Sequence, residues 1–256
     1  MPSAEIITIG TELLLGEVVD TNTQVVARAL RRVGVDIYRT TTVGDNANRI
    51  SRVILESLSR ADVVITTGGL GPTVDDPTRE AVAAALEVEM QWREDLWSHI
   101  QERLRELGRE VTENNKRQAF VPRGATVLEN ERGTAPAFIV EQERRLLIAL
   151  PGVPPEMEWL LEKQVIPWLR SRFSLEEIIL SKSIKVVGIG ESKVDDLIGD
   201  YEYSENPTVG LAAHKGSVEV RITSKANSET KALEMILEME ERLRERLSAW
   251  IPPERD

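Results

Sequence analysis

Apolar positions in the first third of the chain switch between two periods, which predicts alternating strands and helices. Runs rich in β-branched residues fall at 6–9, 35–43 and 62–67, and such runs are typical of buried strands. Between them, residues 21–33 and 45–58 carry apolar side chains at helical spacing. Strands and helices in strict alternation predict an α/β fold with a doubly wound, mostly parallel sheet.

The middle of the chain continues with weaker patterns of the same kind. Asp76-Pro77 predicts a helix start, with Asp76 as the N-cap and Pro77 at the first helical position. Asp45 is likewise interpreted as the cap of the helix that follows the second strand. Further elements are predicted as helices at 78–86, 91–107, 112–119 and 156–169, and as strands at 125–128, 138–140 and 146–150.

A second, smaller unit begins near residue 173. Its pattern predicts a strand at 183–187, a helix at 192–198, strands at 209–213 and 218–223, and a terminal helix at 228–247. This is an α+β unit of about 80 residues. We therefore predict two domains, residues 1–172 and 173–256.

Charge and composition exclude several kinds of site. The chain has 43 acidic and 32 basic residues, a net charge of -11, which argues against nucleic acid or an anionic membrane as the main partner. With no cysteine and two histidines, thiolate chemistry is excluded and any metal is expected on oxygen ligands, as for Mg²⁺. The sequence shows neither a signal peptide nor an apolar run of membrane-spanning length, which predicts a cytoplasmic protein.

The stretch after the third strand carries the clearest functional pattern. Three glycines between residues 68 and 71 let the backbone approach an anion and turn its N–H groups towards it. The start of the next helix favours negative charge, and Asp75 and Asp76 could hold Mg²⁺. A tight turn capped by Asp76 is the alternative. The candidate phosphate-binding residues are Thr67, Gly68, Gly69, Leu70, Gly71, Thr73 and Thr78.

Other loops at the same predicted sheet edge add polar candidates. Glu12 and Asp20 are candidate metal ligands or general bases, and Asn22 could orient a ligand. Capping of the first helix explains Asp20 equally well. Asp45 either caps its helix or faces the same ligand as Asp76.

Three further segments could contact phosphate. Two adjacent cations could clamp a phosphate group, although a solvated helix face explains them as well. The loops at 133–138 and 150–156 have unusual chemistry, and the second could offer N–H groups at a helix start, although structural turns explain both. The candidates in these segments are Lys116, Arg117, Gly133, Thr134, Pro151 and Gly152.

Taken in order, these segments resemble the N-terminal part of the competence/damage-inducible protein CinA family. The resemblance is carried by residues 9–16, 20–23, 43–46, 67–76, 115–119, 133–136 and 151–157. It spans about residues 4–200 and continues more weakly to 250. One departure is Ala137, where the family usually has glycine, and a methyl group there could narrow the site or alter the loop.

The resemblance implies a molybdopterin-binding-like domain, a smaller KH-type domain, and a homodimer or higher homo-oligomer. It also implies hydrolysis of the pyrophosphate bond of ADP-ribose, or of a related nucleoside diphosphate derivative, to AMP and a sugar phosphate, with Mg²⁺, Mn²⁺ or Co²⁺ as cofactor. Many members carry a further C-terminal amidase domain. Since this chain ends at Asp256, we expect that activity to be absent.

Within the implied activity the candidates take distinct roles. Asp76, with Asp45 or Asp75, would hold the metal, and Glu12 or Asp20 would orient the attacking water. One alternative is a molybdopterin adenylyltransferase, because the glycine-rich loop is similar to that of MogA and MoaB, whose two important aspartates match Asp45 and Asp76 by motif position. A non-catalytic nucleotide-binding module is the second alternative.

Overall fold

The computed structural model describes residues 2–142 and 145–252, and the chain divides into two compact units. The first comprises the residues up to Arg31 together with Val35–Ser174, and the second comprises Arg32–Gly34 together with the residues from Leu175 onward. Among the described residues, no helix is both long and apolar enough to cross a membrane.

A six-stranded sheet forms the centre of the first unit, with strand order β2-β1-β3-β8-β7-β6. The four strands β2, β1, β3 and β8 are parallel, while β7 and β6 run antiparallel to their neighbours. This confirms the predicted mostly parallel sheet. The strands of this unit are β1 (Ser3–Ile9), β2 (Asp36–Val43), β3 (Val63–Thr67), β4 (Met90–Trp92), β5 (Phe120–Pro122), β6 (Thr126–Leu128), β7 (Ala137–Gln142) and β8 (Arg145–Leu150).

Helices cover the sheet and bury their apolar positions against it. In α3, for example, Ile50, Ile54 and Leu58 recur every fourth residue and are all buried, which forms one apolar stripe. The helices are α1 (Thr11–Leu14), α2 (Asn22–Arg32), α3 (Ala47–Leu58), α4 (Thr78–Ala85), α5 (Glu94–Glu106), α6 (Pro154–Leu160) and α7 (Ile166–Phe173). A 3₁₀ helix spans Glu113–Ala119, and a π-helical turn at Leu161–Val165 joins α6 to α7.

Two predicted helices differ from the observed elements. The predicted helix at 91–107 was wrong at its start, because Met90–Trp92 pairs with Phe120–Pro122 as a small antiparallel ribbon. The Trp92 ring packs edge-on against Phe120, with 5.2 Å between ring centroids, so a tertiary contact overrides the helical pattern. The predicted helix at 156–169 begins earlier, at Pro154, and extends to Phe173.

Up to residue 252, the second unit is a three-stranded antiparallel sheet with two α-helices and a short 3₁₀ helix at Ser248–Trp250, as the α+β pattern predicted. Strand order is β10-β11-β9, and alternate residues of β11, such as Val218, Val220 and Ile222, are buried. Ser228 accepts a hydrogen bond from the Lys231 N–H at the start of the last helix, as an N-cap does. The elements are β9 (Ile178–Val187), α8 (Glu191–Glu202), β10 (Thr208–His214), β11 (Ser217–Ala226) and α9 (Glu229–Leu247).

Candidate functional site

A cavity of about 450 Å³ opens where β1, β3 and β8 end. The chain leaves β1 for β2 on one side and then enters β3 on the other, and such a switch point in a parallel sheet is a common ligand site. Segments that follow β1, β2, β3, β6 and β8 contribute to the cavity. The lining residues include Gly10, Glu12, Asp45, Gly68, Gly69, Leu70, Gly71, Thr73, Asp75, Asp76, Gln118, Thr134, Pro151, Gly152 and Glu156.

The glycine-rich loop after β3 is held by its carbonyl groups. Thr78 at the start of α4 donates from Oγ1 to the Gly68 oxygen, at 2.8 Å, and from its N–H to the Gly69 oxygen, at 3.2 Å. Thr78 is fully buried. Its hydroxyl proton is therefore used in the bond to the Gly68 oxygen, and Thr78 itself does not line the cavity.

Arg79 holds the next part of the loop in the same way. Its Nη1 donates to the Leu70 oxygen and its Nη2 to the Gly71 oxygen, both at 2.6 Å. The side chain is fully buried, and this burial lowers the pKa of Arg79 to about 10, although the charges of Glu80 and Asp76 oppose the shift. Charge-assisted bonds of this kind are stronger than neutral ones. Arg79 was missed by the sequence analysis, and its only sign there is one cation within an alanine-rich helix.

The hydrogen bonds to the carbonyl oxygens of the loop determine where its N–H groups point. In a trans peptide the C=O and N–H lie on opposite sides. The N–H groups of Gly69, Leu70 and Gly71 therefore point away from Thr78 and Arg79, and we infer that they face the cavity that these residues line. None of the three donates to an acceptor within residues 2–142 and 145–252. Successive free N–H groups form a concave anion site of the kind called a nest.

Glycine is required where the loop meets β1 and α4. Gly68 has a φ of 104°, and a Cβ on it would overlap the Ile9 carbonyl oxygen. Gly69 has a φ of 67°, and a Cβ on it would overlap the Thr78 hydroxyl. Both positions combine a left-handed backbone with close packing, so the loop shape depends on these glycines.

Asp76 closes the loop and does not cap α4, so its predicted capping role was wrong. Its Oδ2 accepts from the Thr73 N–H at 2.9 Å and from the Thr73 hydroxyl at 2.6 Å. The helix begins at Thr78, as predicted, but Pro77 takes the cap position and not the first helical position, and the described structure has no side-chain cap bond there. The nearby Thr73 donors therefore compete successfully for the carboxylate.

Asp45 is also not a helix cap, which corrects a second expectation. Asn46 caps α3 by accepting from the Arg49 N–H at 3.1 Å. The Asp45 carboxylate instead accepts from the Thr11 N–H at 2.7 Å. This bond joins the loop after β2 to the loop after β1 and places Asp45 on the cavity wall.

The ionisable side chains that line the cavity are all acidic. They are Glu12, Asp45, Asp75, Asp76 and Glu156, and no described lysine or arginine lines the cavity. Across the part of the chain that the structure describes, no three His, Cys, Asp or Glu side chains are grouped closely enough to hold a metal ion. The arrangement therefore does not provide an all-protein metal cage. It fits Mg²⁺, which commonly binds through one or two carboxylates together with phosphate oxygens of the substrate.

The two adjacent cations do not line the cavity. Lys116 pairs with Glu113 at 2.7 Å, and Arg117 pairs with Glu80 at 3.2 Å. Their neighbour Gln118, which the sequence analysis did not single out, lines the cavity instead and is 1% exposed. Its Nε2 donates to the Thr134 hydroxyl at 3.2 Å, while its Oε1 is buried without a partner in the described structure.

Asn130 shapes the loop that carries Thr134. Its Nδ2 donates to the Ala135 oxygen at 2.9 Å and to Glu156 at 2.6 Å, and its Oδ1 accepts from the Gly133 N–H at 3.0 Å. Neither Asn130 nor Glu156 was a sequence candidate. Gly133 packs against Glu156 and does not line the cavity.

Ala137, the departure from the family pattern, lies elsewhere. It is fully buried in β7 opposite Leu128 and lines neither this cavity nor the smaller one described next.

A smaller cavity of about 120 Å³ adjoins the first and shares Ile9, Glu12 and Gly152 with it. Three of the sequence candidates, Asp20, Asn22 and Thr67, line this cavity and not the larger one. Asp20 accepts from the Thr8 hydroxyl at 3.0 Å, and Asn22 donates to the Gly152 oxygen at 2.8 Å. The candidates therefore divide between two neighbouring cavities.

Comparison with known proteins agrees with this architecture. Residues 5–171 match the family described as "Probable molybdopterin binding domain", and residues 181–251 match "Damage-inducible protein CinA KH domain". A competence-damage inducible protein of Clostridium botulinum is 44% identical over 94% of this chain and 59% of its own length. One from Caldicellulosiruptor bescii is 44% identical over 97% of this chain and 60% of its own length.

Among solved structures, a CinA protein of unknown function from Thermoplasma acidophilum is similar. It has a TM-score of 0.60 and 33% identity, and the match covers 64% of this chain and 98% of that one. The chain thus spans about three fifths of the length of the curated relatives it matches. With both family domains matched in order, the chain belongs to the CinA family and corresponds to its molybdopterin-binding and KH domains.

Proposed function

We propose that the first unit hydrolyses the pyrophosphate bond of ADP-ribose, or of a closely related nucleoside diphosphate derivative, to AMP and a sugar phosphate. The observation that carries the proposal is that the loop carbonyls are bonded to Thr78 and Arg79, while the N–H groups of the inferred nest, Gly69, Leu70 and Gly71, donate to no acceptor in the described structure. The carbonyl groups of the same peptides accept hydrogen bonds from Thr78 and Arg79, so these N–H groups are already ordered in the absence of ligand. Donors that are already ordered stabilise the charge of a transition state without reorganisation.

The charge of the cavity supports a substrate that arrives with a metal ion. A diphosphate would meet the five lining carboxylates without any lining lysine or arginine to offset them, and this repulsion has to be neutralised. Asp76, with Asp45 or Asp75, would hold Mg²⁺, Mn²⁺ or Co²⁺. When bound, such an ion would neutralise the charge that develops on the bridging oxygen.

Three parts of the chain then have separate tasks. The nest binds phosphate oxygens, and the Thr73 bonds keep the Asp76 carboxylate at the cavity wall. Glu12, in the first turn of α1, lies against Gly10 and is the carboxylate proposed to orient the attacking water and accept its proton. Asp20 is less suited to this task, because its carboxylate already accepts from Thr8 and Thr23.

The test is product analysis with the full chain. ADP-ribose is incubated with Mg²⁺, Mn²⁺ or Co²⁺, and AMP is quantified by chromatography. We expect AMP and ribose 5-phosphate in equal amounts. Absence of AMP with all three metals would overturn the hydrolase proposal, and ADP-ribose binding without turnover would identify a binding module.

A matched pair of variants connects turnover to the site. Asp76→Asn keeps an oxygen that can accept from Thr73 but loses the negative charge, so turnover should fall at least 100-fold, whereas folding should persist. Asp62→Asn is the control, because Asp62 also accepts from the N–H and hydroxyl of one residue, Ser3. Asp62 does not line the cavity, so this variant should retain normal turnover. Equal effects of the two substitutions would contradict the assignment.

A second candidate function is transfer of an adenylyl group to molybdopterin. It is favoured by the match of residues 5–171 to the "Probable molybdopterin binding domain" family. Both reactions act on a phosphoanhydride next to AMP, and they differ in whether water or the pterin phosphate accepts the group. Incubation with ATP and molybdopterin separates them, because only the transferase forms an adenylated pterin.

A further inference from the structure

Two residues that line the smaller cavity beside the nest carry polar atoms that the fold leaves without hydrogen-bond partners. Thr67 is 2% exposed, and its Oγ1 has no hydrogen-bond partner in the described structure; the same holds for the buried Oδ1 of Asn22. Both residues line the cavity. A buried polar atom without a partner costs about 1–3 kcal/mol, so two in one small cavity point to a ligand that supplies the missing bonds.

The surrounding groups restrict the chemistry of that ligand. The Asn22 Nδ2 donates one of its two hydrogens to the Gly152 oxygen, while its Oδ1 has no donor in the described structure. Asp20 accepts three hydrogen bonds from Thr8 and Thr23, and a carboxylate has sites for about four. The ligand therefore has to supply the hydrogen-bond donors for Asn22 Oδ1 and for the remaining acceptor site of Asp20. Within residues 2–142 and 145–252, no lysine or arginine lines the cavity, which disfavours a phosphate or carboxylate group in this position.

Size and wall composition favour a sugar ring over a base. A volume of about 120 Å³ equals roughly four water molecules at about 30 Å³ each, which suits one five-membered ring. None of the lining residues that the structure describes is aromatic, so a base would find no stacking surface among them. Leu13, Val18 and Val19 supply an aliphatic wall, against which the carbon face of a furanose can pack.

We propose that this cavity, lined by Asp20, Asn22 and Thr67, is a subsite for the base-free ribose of the substrate and binds its vicinal hydroxyl groups. A hydroxyl can donate to Asn22 Oδ1 or Asp20 while it accepts from Thr67. The inference rests on the proposed function, because it places the sugar next to a diphosphate held by the nest. It also orients the substrate, with the adenosine end directed towards Gln118 and Thr134 in the larger cavity.

A neighbouring threonine provides a matched control for the test. Thr66 is fully buried, and its Oγ1 also lacks a partner in the described structure. It precedes Thr67 in β3 and so points to the opposite face of the sheet, and it lines neither cavity. Thr66→Val and Thr67→Val each remove an unsatisfied hydroxyl without a change of shape, so both proteins should fold and be as stable as the wild type or more so.

Calorimetry with Mg²⁺ present should then compare D-ribose 5-phosphate with 2-deoxy-D-ribose 5-phosphate. We expect the wild type and Thr66→Val to bind the ribose compound roughly 5- to 30-fold more tightly, the effect of one or two hydrogen bonds. Thr67→Val should lose most of this preference while its affinity for the deoxy compound stays unchanged.

Three results would overturn the subsite. These are equal affinity of the wild type for both sugar phosphates, no binding of either, and equal behaviour of Thr66→Val and Thr67→Val. The outcome is distinguishable from failure of the proposed function. A preference for ribose that depends on Thr67, without AMP release from ADP-ribose, would retain the subsite and remove the hydrolase. AMP release without that preference would retain the hydrolase and remove the subsite.

Discussion

Replacement of Arg79 by methionine should separate ligand binding from fold stability. Methionine fills a similar volume but cannot donate to the Leu70 and Gly71 oxygens. Two charge-assisted bonds of about 1.5–3 kcal/mol each are lost, but so is the cost of several kcal/mol for burying a guanidinium that is fully enclosed. Because these effects oppose each other, we expect the free energy of unfolding to change by no more than about 2 kcal/mol.

The effect on ligand binding should be larger. Without Arg79 the peptides at Leu70 and Gly71 are no longer held in place, and each must be ordered when the ligand binds. Ordering one residue costs about 1–2 kcal/mol, so two residues cost about 2–4 kcal/mol, equivalent to roughly a 30- to 1000-fold loss of affinity. Calorimetry with ADP-ribose and Mg²⁺ measures this loss, and urea unfolding measures stability.

Arg103→Met is the control for this comparison. Arg103 likewise donates to a backbone oxygen, that of Glu131 at 2.7 Å, and likewise has a buried Nε without a partner in the described residues. It does not line the site. If Arg79→Met bound ADP-ribose as the wild type does, or if Arg103→Met weakened binding equally, the role of Arg79 in the nest would be refuted.

Two further predictions concern the backbone and pH. Gly68→Ala should destabilise the protein by more than about 3 kcal/mol, because the new Cβ would overlap the Ile9 oxygen. Gly108→Ala is the control, because Gly108 also has a positive φ but open space around it, and its free energy of unfolding in urea should fall by only about 1 kcal/mol. Similar losses in the two variants would contradict the packing argument. In the second unit, hydrogen bonds from Ser183 and Arg221 lower the pKa of Glu219 to about 2, from an ordinary value of 4.5. Its stabilising effect should therefore be complete above about pH 4.5 and decline as the pH falls towards 2. Glu219→Gln should lower the free energy of unfolding by about 1–2 kcal/mol at pH 7 and by progressively less below pH 4.5, whereas a deficit independent of pH would exclude the charge as its cause.

Local patterns predicted the parts of the fold that depend on local physics. Continuous β-branched runs identified β1 and β3, because a strand buried on both faces has no polar side; the run at 35–43 also formed a strand, but β2 lies at the sheet edge and is mostly not buried. The glycine-rich loop was placed correctly after β3, since its sharp turns need residues that tolerate positive φ. Ribbon β4–β5 was not predicted, because it depends on Trp92 meeting Phe120 from a distant part of the chain.

The site was less predictable, because competition between partners decides it. Asp76 had a helix start within reach, and only the structure shows that Thr73 takes its carboxylate. Lys116 and Arg117 looked suited to phosphate, but each has an acidic partner in the fold. The contributions of Arg79 and Gln118 depend on burial, and no spacing rule reveals the burial of a single polar residue.

The most direct test of the nest is the backbone amide spectrum during titration with ADP-ribose and Mg²⁺. If the nest binds the diphosphate, the N–H signals of Gly69, Leu70 and Gly71 will move downfield together, with one shared dissociation constant, as each begins to donate to phosphate. If these three signals stay in place while ligand-dependent shifts appear at other residues, the glycine-rich loop does not bind the diphosphate and the proposed site is wrong.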